Sequence, residues 1–193
     1  MNKLIWHYTN GLVIDDIVAS GVIKLAKAGV PNTERAAAWF STNPVWDASA
    51  NRGNMSFKGK GPRTAGHVVM NLNDFVETQF DADAMDRECG GRFRIGVVSE
   101  AAPHSWESFK KLSGIAPEMV RVFETVCEVP TASDPERGRW GRTLPGNQDR
   151  GNPREWWASF QPVPRRFWRT VEKREGGEWV MYVDVTPSSV RLT

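Results

Sequence analysis

Three short stretches of the chain combine residue types that do chemistry when they are brought together. Trp6-His7-Tyr8-Thr9 closes one apolar run and Trp39-Phe40-Ser41-Thr42 closes another. Arg154-Glu155-Trp156-Trp157-Ala158-Ser159 follows a basic loop. A histidine at a strand end sits at the rim of a sheet, where it can hold a ligand. A carboxylate such as Glu155 can stabilise the positive charge that builds on a sugar ring as its glycosidic bond breaks. It can also bond a sugar hydroxyl and help deprotonate an acceptor. This chemistry requires no metal. The chain has no HExxH zinc helix, no phosphate-cradling glycine loop with lysine, no Gly-x-Ser-x-Gly and no zinc-deaminase cysteine pair.

The elements that must position these residues are short. Leu4–Thr9 reads as a strand with His7 towards its end, and Leu12–Ser20 as a helix. In that helix Val13/Ile17 and Ile14/Val18 stand at helical spacing, Asn10 is placed to cap it, and Gly21 suits the left-handed position at its end. Ala36–Thr42 reads as a strand broken by Asn43-Pro44. Asp47–Gly66 is polar and glycine-rich and reads as a mobile loop; Asn71–Glu88 reads as acidic loop with some helix. His67–Met70, Arg92–Val98, Trp156–Phe160, Phe167–Glu172 and Trp179–Val185 read as strands. Glu175-Gly176-Gly177-Glu178 signals a hairpin turn. Ser105–Leu112 and Pro117–Val126 read as helices, Pro117 fitting a first turn. Together these predict one α+β domain over residues 1–193, richer in strands than in helices.

Composition sets outer limits. The chain has 193 residues, 40% of them hydrophobic and 25% charged, enough for one sizeable core. The net charge of +2 permits a nucleic-acid partner without demanding one. Nine tryptophans against two tyrosines is unusual; most are expected in the core, and some could stack bases. Cys89 and Cys127 make neither a disulfide framework nor a zinc spacing, so a reduced cytoplasmic protein is expected. Met1-Asn2-Lys3 runs into the first strand without the apolar core of a signal peptide, and no apolar run reaches membrane-spanning length. The segment 131–154 stands apart, with Arg137, Arg139, Trp140, Arg142, Arg150 and Arg154 among glycines and prolines. A long loop inside one domain is often functional, and this one is suited to bind a substrate.

The three stretches, in this order, resemble the motifs of the ADP-ribosyltransferase superfamily, and most closely the branch that modifies DNA bases. The resemblance implies a split β-sheet core with a few short helices. It implies NAD as co-substrate, held by His7, Tyr8, Thr9, Trp39, Phe40, Ser41 and Thr42, with Glu155 and His7 as catalytic residues. It also implies ADP-ribose transfer to a macromolecule, with nucleic acid favoured over protein, and a role in toxin–antitoxin or phage–host conflict by analogy. One departure bears on the acceptor. The family's DNA-modifying members carry an arginine soon after the second motif, whereas this chain reads Asn43-Pro44-Val45-Trp46 and its nearest arginine is Arg52. Other acids compete with Glu155, namely Glu124, Glu128, Glu172 and Glu178. Two other functions fit the same residues: cleavage of a base–sugar bond without NAD, and a non-catalytic reader of nucleic acid or modified bases.

The basic loop yields a direct expectation. Replacing Arg137, Arg139 and Arg142 by Ala should weaken nucleic-acid binding and flatten its salt dependence. The log–log slope should shrink by roughly 0.9 for each phosphate that is no longer neutralised. Equal slopes for the two proteins in a salt titration would separate the loop from nucleic acid.

Overall fold

The computed structural model describes residues 3–28, 30–47, 50, 53–57, 75–79, 82–127 and 152–185. Arg52, Arg137, Arg139, Trp140, Arg142, Glu128, the expected His67–Met70 strand and the loop 131–151 lie outside the described residues. Eleven strands and four α-helices are described, in an α+β arrangement. The main sheet holds seven of those strands: β1 (Leu4–Asn10), β3 (Ala38–Ser41), β6 (Arg92–Val98), β7 (His104–Ser105), β8 (Trp156–Ser159), β10 (Trp168–Glu175) and β11 (Glu178–Val183). Their spatial order is β11-β10-β6-β1-β3-β8-β7, and every pairing is antiparallel. Two small ribbons stand beside it. One pairs β2 (Val22–Ile23) with β9 (Val163–Pro164), the other β4 (Gly53–Phe57) with β5 (Phe75–Gln79).

The sheet is strongly made on one side of β1 and barely made on the other. All seven residues of β1 pair with β6, from Leu4↔Val98 to Asn10↔Arg92. Against β3 there is a single pair, Trp6↔Ser41. Two halves of the sheet therefore meet at one point and part beyond it. This corrects the position expected for His7. It lies in the middle of β1, because β6 carries the ladder on to Asn10. It is still at a rim, because its other neighbour has left.

Alternation along the strands builds two cores. Ile5, Phe93, Ile95, Val97, Trp168 and Val171 face one way and are buried with Ile14 of helix α1 (Ile14–Ser20). Ala38 and Phe40 join that core, whereas Ala37 on the opposite face of the segment joins a second one. The second core contains Trp156, Ala158 and Phe160, with Trp106 and Phe109 of helix α3 (Trp106–Leu112). So β3 is buried on both faces, which accounts for its run of small and aromatic residues. The remaining helices described are α2 (Ala82–Glu88) and α4 (Pro117–Cys127). Among the described residues no helix is long and apolar enough to cross a membrane.

Several local expectations hold and three change. Gly21 ends α1 with φ of 64° and donates its amide to Ile17 and Val18. Gly176 and Gly177 turn the β10–β11 hairpin with both φ values positive, as a type I′ turn needs. Asn10 is not the cap of α1. Its Oδ1 accepts from the Leu12 amide at 3.1 Å, closing a turn before the helix, and Val13 occupies the capping position without a side-chain bond. The segment Asp47–Gly66 contains β4, and Asn71–Glu88 contains β5 as well as α2. Their polar sequences hid the pairing, since a two-stranded ribbon needs little apolar alternation.

The face of the sheet opposite the first core carries Trp6, Tyr8, Arg94 and Gly96. Gly96 lies opposite Trp6 on one side and Thr170 on the other. A Cβ there would sit 2.8 Å from the Trp6 ring and 2.7 Å from Thr170 Cγ2. Gly96→Ala should therefore cost about 1–3 kcal/mol through overpacking. A denaturant midpoint equal to that of the parent would show that the tryptophan layer yields freely.

Candidate functional site

Where the two halves of the sheet part, a pocket of about 500 Å³ opens. Its floor comes from both strands at the split: Trp6, His7 and Tyr8 of β1, and Trp39, Phe40 and Ser41 of β3. The segment Ala26–Ala37, Asp47, α3 and α4 supply most of the walls, and Trp156 of β8 completes them. The rings brace one another. Trp39 lies 4.4 Å from Phe109, and Trp106 stands edge-on to Trp156 at 5.4 Å. These aromatic surfaces are rigid and apolar, with a few polar groups between them, as small-molecule sites generally are.

His7 is held at the point of separation. Its Nδ1 donates to the Trp39 carbonyl at 2.9 Å, across the gap where the β1–β3 ladder has stopped. A carbonyl only accepts, so Nδ1 carries the proton and Nε2 is an acceptor. Burial pushes the His7 pKa below 6.5 and keeps the ring neutral, although the bond to Trp39 works the other way. A neutral imidazole thus stands in the lining of the pocket, its ring 5.7 Å from that of Phe40.

Tyr8 faces the pocket and also fastens the segment after β3. Its hydroxyl donates to the Asn43 carbonyl. Burial pushes its pKa far above the usual 10; Arg94 opposes that shift, and the charges of Asp47 and Glu155 reinforce it. The phenol is thus neutral at physiological pH. Arg94 donates to the Pro44 carbonyl, and Trp179 Nε1 donates to the Val45 carbonyl at 3.0 Å. Asp47 accepts from Trp156 Nε1 at 3.0 Å. Side chains from four strands therefore grip the segment Asn43–Asp47.

Glu155 is placed beside the pocket, not in its lining. It is half-buried and ends a 3-10 turn over Pro153–Glu155, immediately before β8. Its backbone carbonyl accepts from the Thr42 amide at 2.9 Å, which ties the second and third sequence motifs together. Thr9 is buried and Thr42 half-buried, and neither lines the pocket. Arg154 is exposed next to Glu155. The competing acids have other partners. Glu124 accepts from Trp106 Nε1 and Lys110 Nζ, both at 2.8 Å, and these bonds hold its pKa below the ordinary value. Glu172 is ion-paired with Arg94 and accepts from Thr170 Oγ1 at 2.9 Å. Glu178 is exposed at the hairpin.

Sequence reasoning missed Asp47, Glu34, Arg35 and Arg94. Asp47 is only 3% exposed and lines the pocket, yet it opens a stretch whose composition reads as loop. The one signal for it was Trp46 and Asp47 following so closely on the Asn43-Pro44 break. No protein-family model matches the chain, and comparison with curated proteins and with solved structures gives no significant match.

The buried histidine predicts a pH effect. The unfolded chain takes up a proton near 6.5, but folded His7 resists it until a lower pH. Stability is therefore complete above that value and falls as pH drops below it. His7→Gln should lessen this loss, so its melting temperature should fall less steeply than the parent's between about pH 7 and pH 5. Parallel curves would mean that His7 does not contribute.

Proposed function

We propose that the protein transfers ADP-ribose from NAD to a macromolecule, with nucleic acid the first acceptor to test. One observation carries this reading. His7, Ser41 and Trp156, drawn from three stretches far apart in sequence, surround one pocket at the split of the sheet, with Glu155 at its edge. In this reading the Nε2 of His7 accepts from a ribose hydroxyl, and the aromatic walls enclose the nicotinamide ring. Loss of nicotinamide leaves positive charge on the ribose. The Glu155 carboxylate stabilises that charge and helps deprotonate the acceptor. Tyr8 and His7, both neutral, set the geometry without adding charge that would oppose it. Arg154 and the basic loop before it supply cations for phosphates.

Glu155→Gln keeps the shape of the side chain and removes its charge. Loss of one preorganised electrostatic group costs about 2.7–4 kcal/mol, so nicotinamide release should fall roughly 100- to 1,000-fold with NAD affinity largely kept. The assay follows free nicotinamide and the destination of labelled ADP-ribose. An undiminished rate in the Gln protein would remove Glu155 from the mechanism. Release of a free nucleobase without NAD would replace the transfer reading with base excision.

A further inference from the structure

The walls of the pocket differ in how they are held. Strands β1 and β3 belong to the main sheet. The Ala26–Ala37 segment is closed by a bridge between its two ends, and the Arg35 amide ties it to the Ser113 carbonyl at 2.7 Å. Helix α3 buries Trp106 and Phe109 in the second core. Helix α4 is different. It lends Met119 and Phe123 to the wall, yet these side chains are 36% and 41% exposed. Val120 packs only half-buried against the second core, and the helix also lies beside the Pro153–Glu155 turn. Among the described residues, one α4 side chain hydrogen-bonds to another element. Glu124 Oε1 accepts from Trp106 Nε1 and from Lys110 Nζ, both at 2.8 Å and both on α3. Trp106 is itself a ring of the wall, and Phe123 stands edge-on to it at 6.1 Å. Lys110 is shared, since Glu107 of α3 also pairs with it at 2.7 Å.

We propose that α4 is a movable wall of the pocket and that Glu124 is its latch. Small apolar burial and a partly exposed ion pair hold an element weakly, and such elements open locally while the rest of the fold stays intact. Release of Trp106 and Lys110 by Glu124 frees the wall that carries Met119 and Phe123. The proposal concerns the wall and holds whichever ligand the pocket takes, so it does not rest on the transfer reading. A helix of 11 residues is too short to persist alone in water, so its release is readable in its own amides.

The test is amide hydrogen exchange on the whole protein, followed by mass spectrometry and compared between peptides from α4 and from β6. In the parent, α4 should exchange at least about tenfold faster than β6, after correction for intrinsic rates. Glu124→Ala should speed α4 by at least about a further tenfold and leave β6 unchanged, because it removes two hydrogen bonds to a charged group. Glu124→Gln can keep the indole bond but not the ion pair, and should fall between the two. Glu107→Ala removes the competing partner of Lys110 without touching the latch, and should leave α4 as in the parent. Equal protection of α4 and β6 in the parent would overturn the movable wall, and that comparison stands even if no variant folds. Unchanged α4 exchange in Glu124→Ala, or an equal acceleration in Glu107→Ala, would overturn the latch.

Discussion

The pocket depends on the ladder between β1 and β3 stopping after one pair. A complete antiparallel pairing would bring the two strands to their usual spacing of about 5 Å and leave no room for a ligand. Here large rings stand on both strands near the junction, and β3 is buried on both faces. Phe40 belongs to one core and Trp39 packs against the other, so each core draws β3 away from a flat continuation of the sheet. The cost of parting is exposed backbone. His7 offsets it by donating its Nδ1 to the Trp39 carbonyl, and the same residue lines the cavity.

A second joint holds the two halves. The segment Asn43–Asp47 leaves β3 and crosses the tryptophan face of the other half-sheet. Three successive carbonyls, of Asn43, Pro44 and Val45, accept from Tyr8, Arg94 and Trp179. Arg94 is able to serve here because its guanidinium is planar and has several donors. It lies 3.8 Å over the Trp6 ring and 4.4 Å from that of Trp179, while Glu172 balances its charge. Gly96 leaves the space that Trp6 needs for this stack. The segment ends in Asp47, so the grip that joins the half-sheets also sets the carboxylate against the pocket.

Burial governs the chemistry of the site through one cause with two effects. It disfavours the charged forms of His7 and Tyr8, making both neutral hydrogen-bonding groups.

The sequence by itself determined the local elements whose signals are local. The Arg92–Val98 strand, the Gly21 terminus, the Gly176-Gly177 turn and the helix from Pro117 follow from apolar alternation and glycine or proline chemistry within a few residues. It also marked His7, Trp39, Ser41 and Glu155 as residues of interest, because their types and order were informative. Only the tertiary structure decided how they meet. The pairing of β1 with β3 joins residues about 35 apart in the chain, and no local pattern says that it ends after one step. Asp47 was illegible for the same reason. Its burial arises from Trp156, 109 residues away, and a polar residue in a glycine-rich stretch reads as solvent-exposed until that partner is known. The ribbon of β4 and β5 was missed because a pair of polar strands is specified by the strands' pairing with each other, which neither strand's own sequence records.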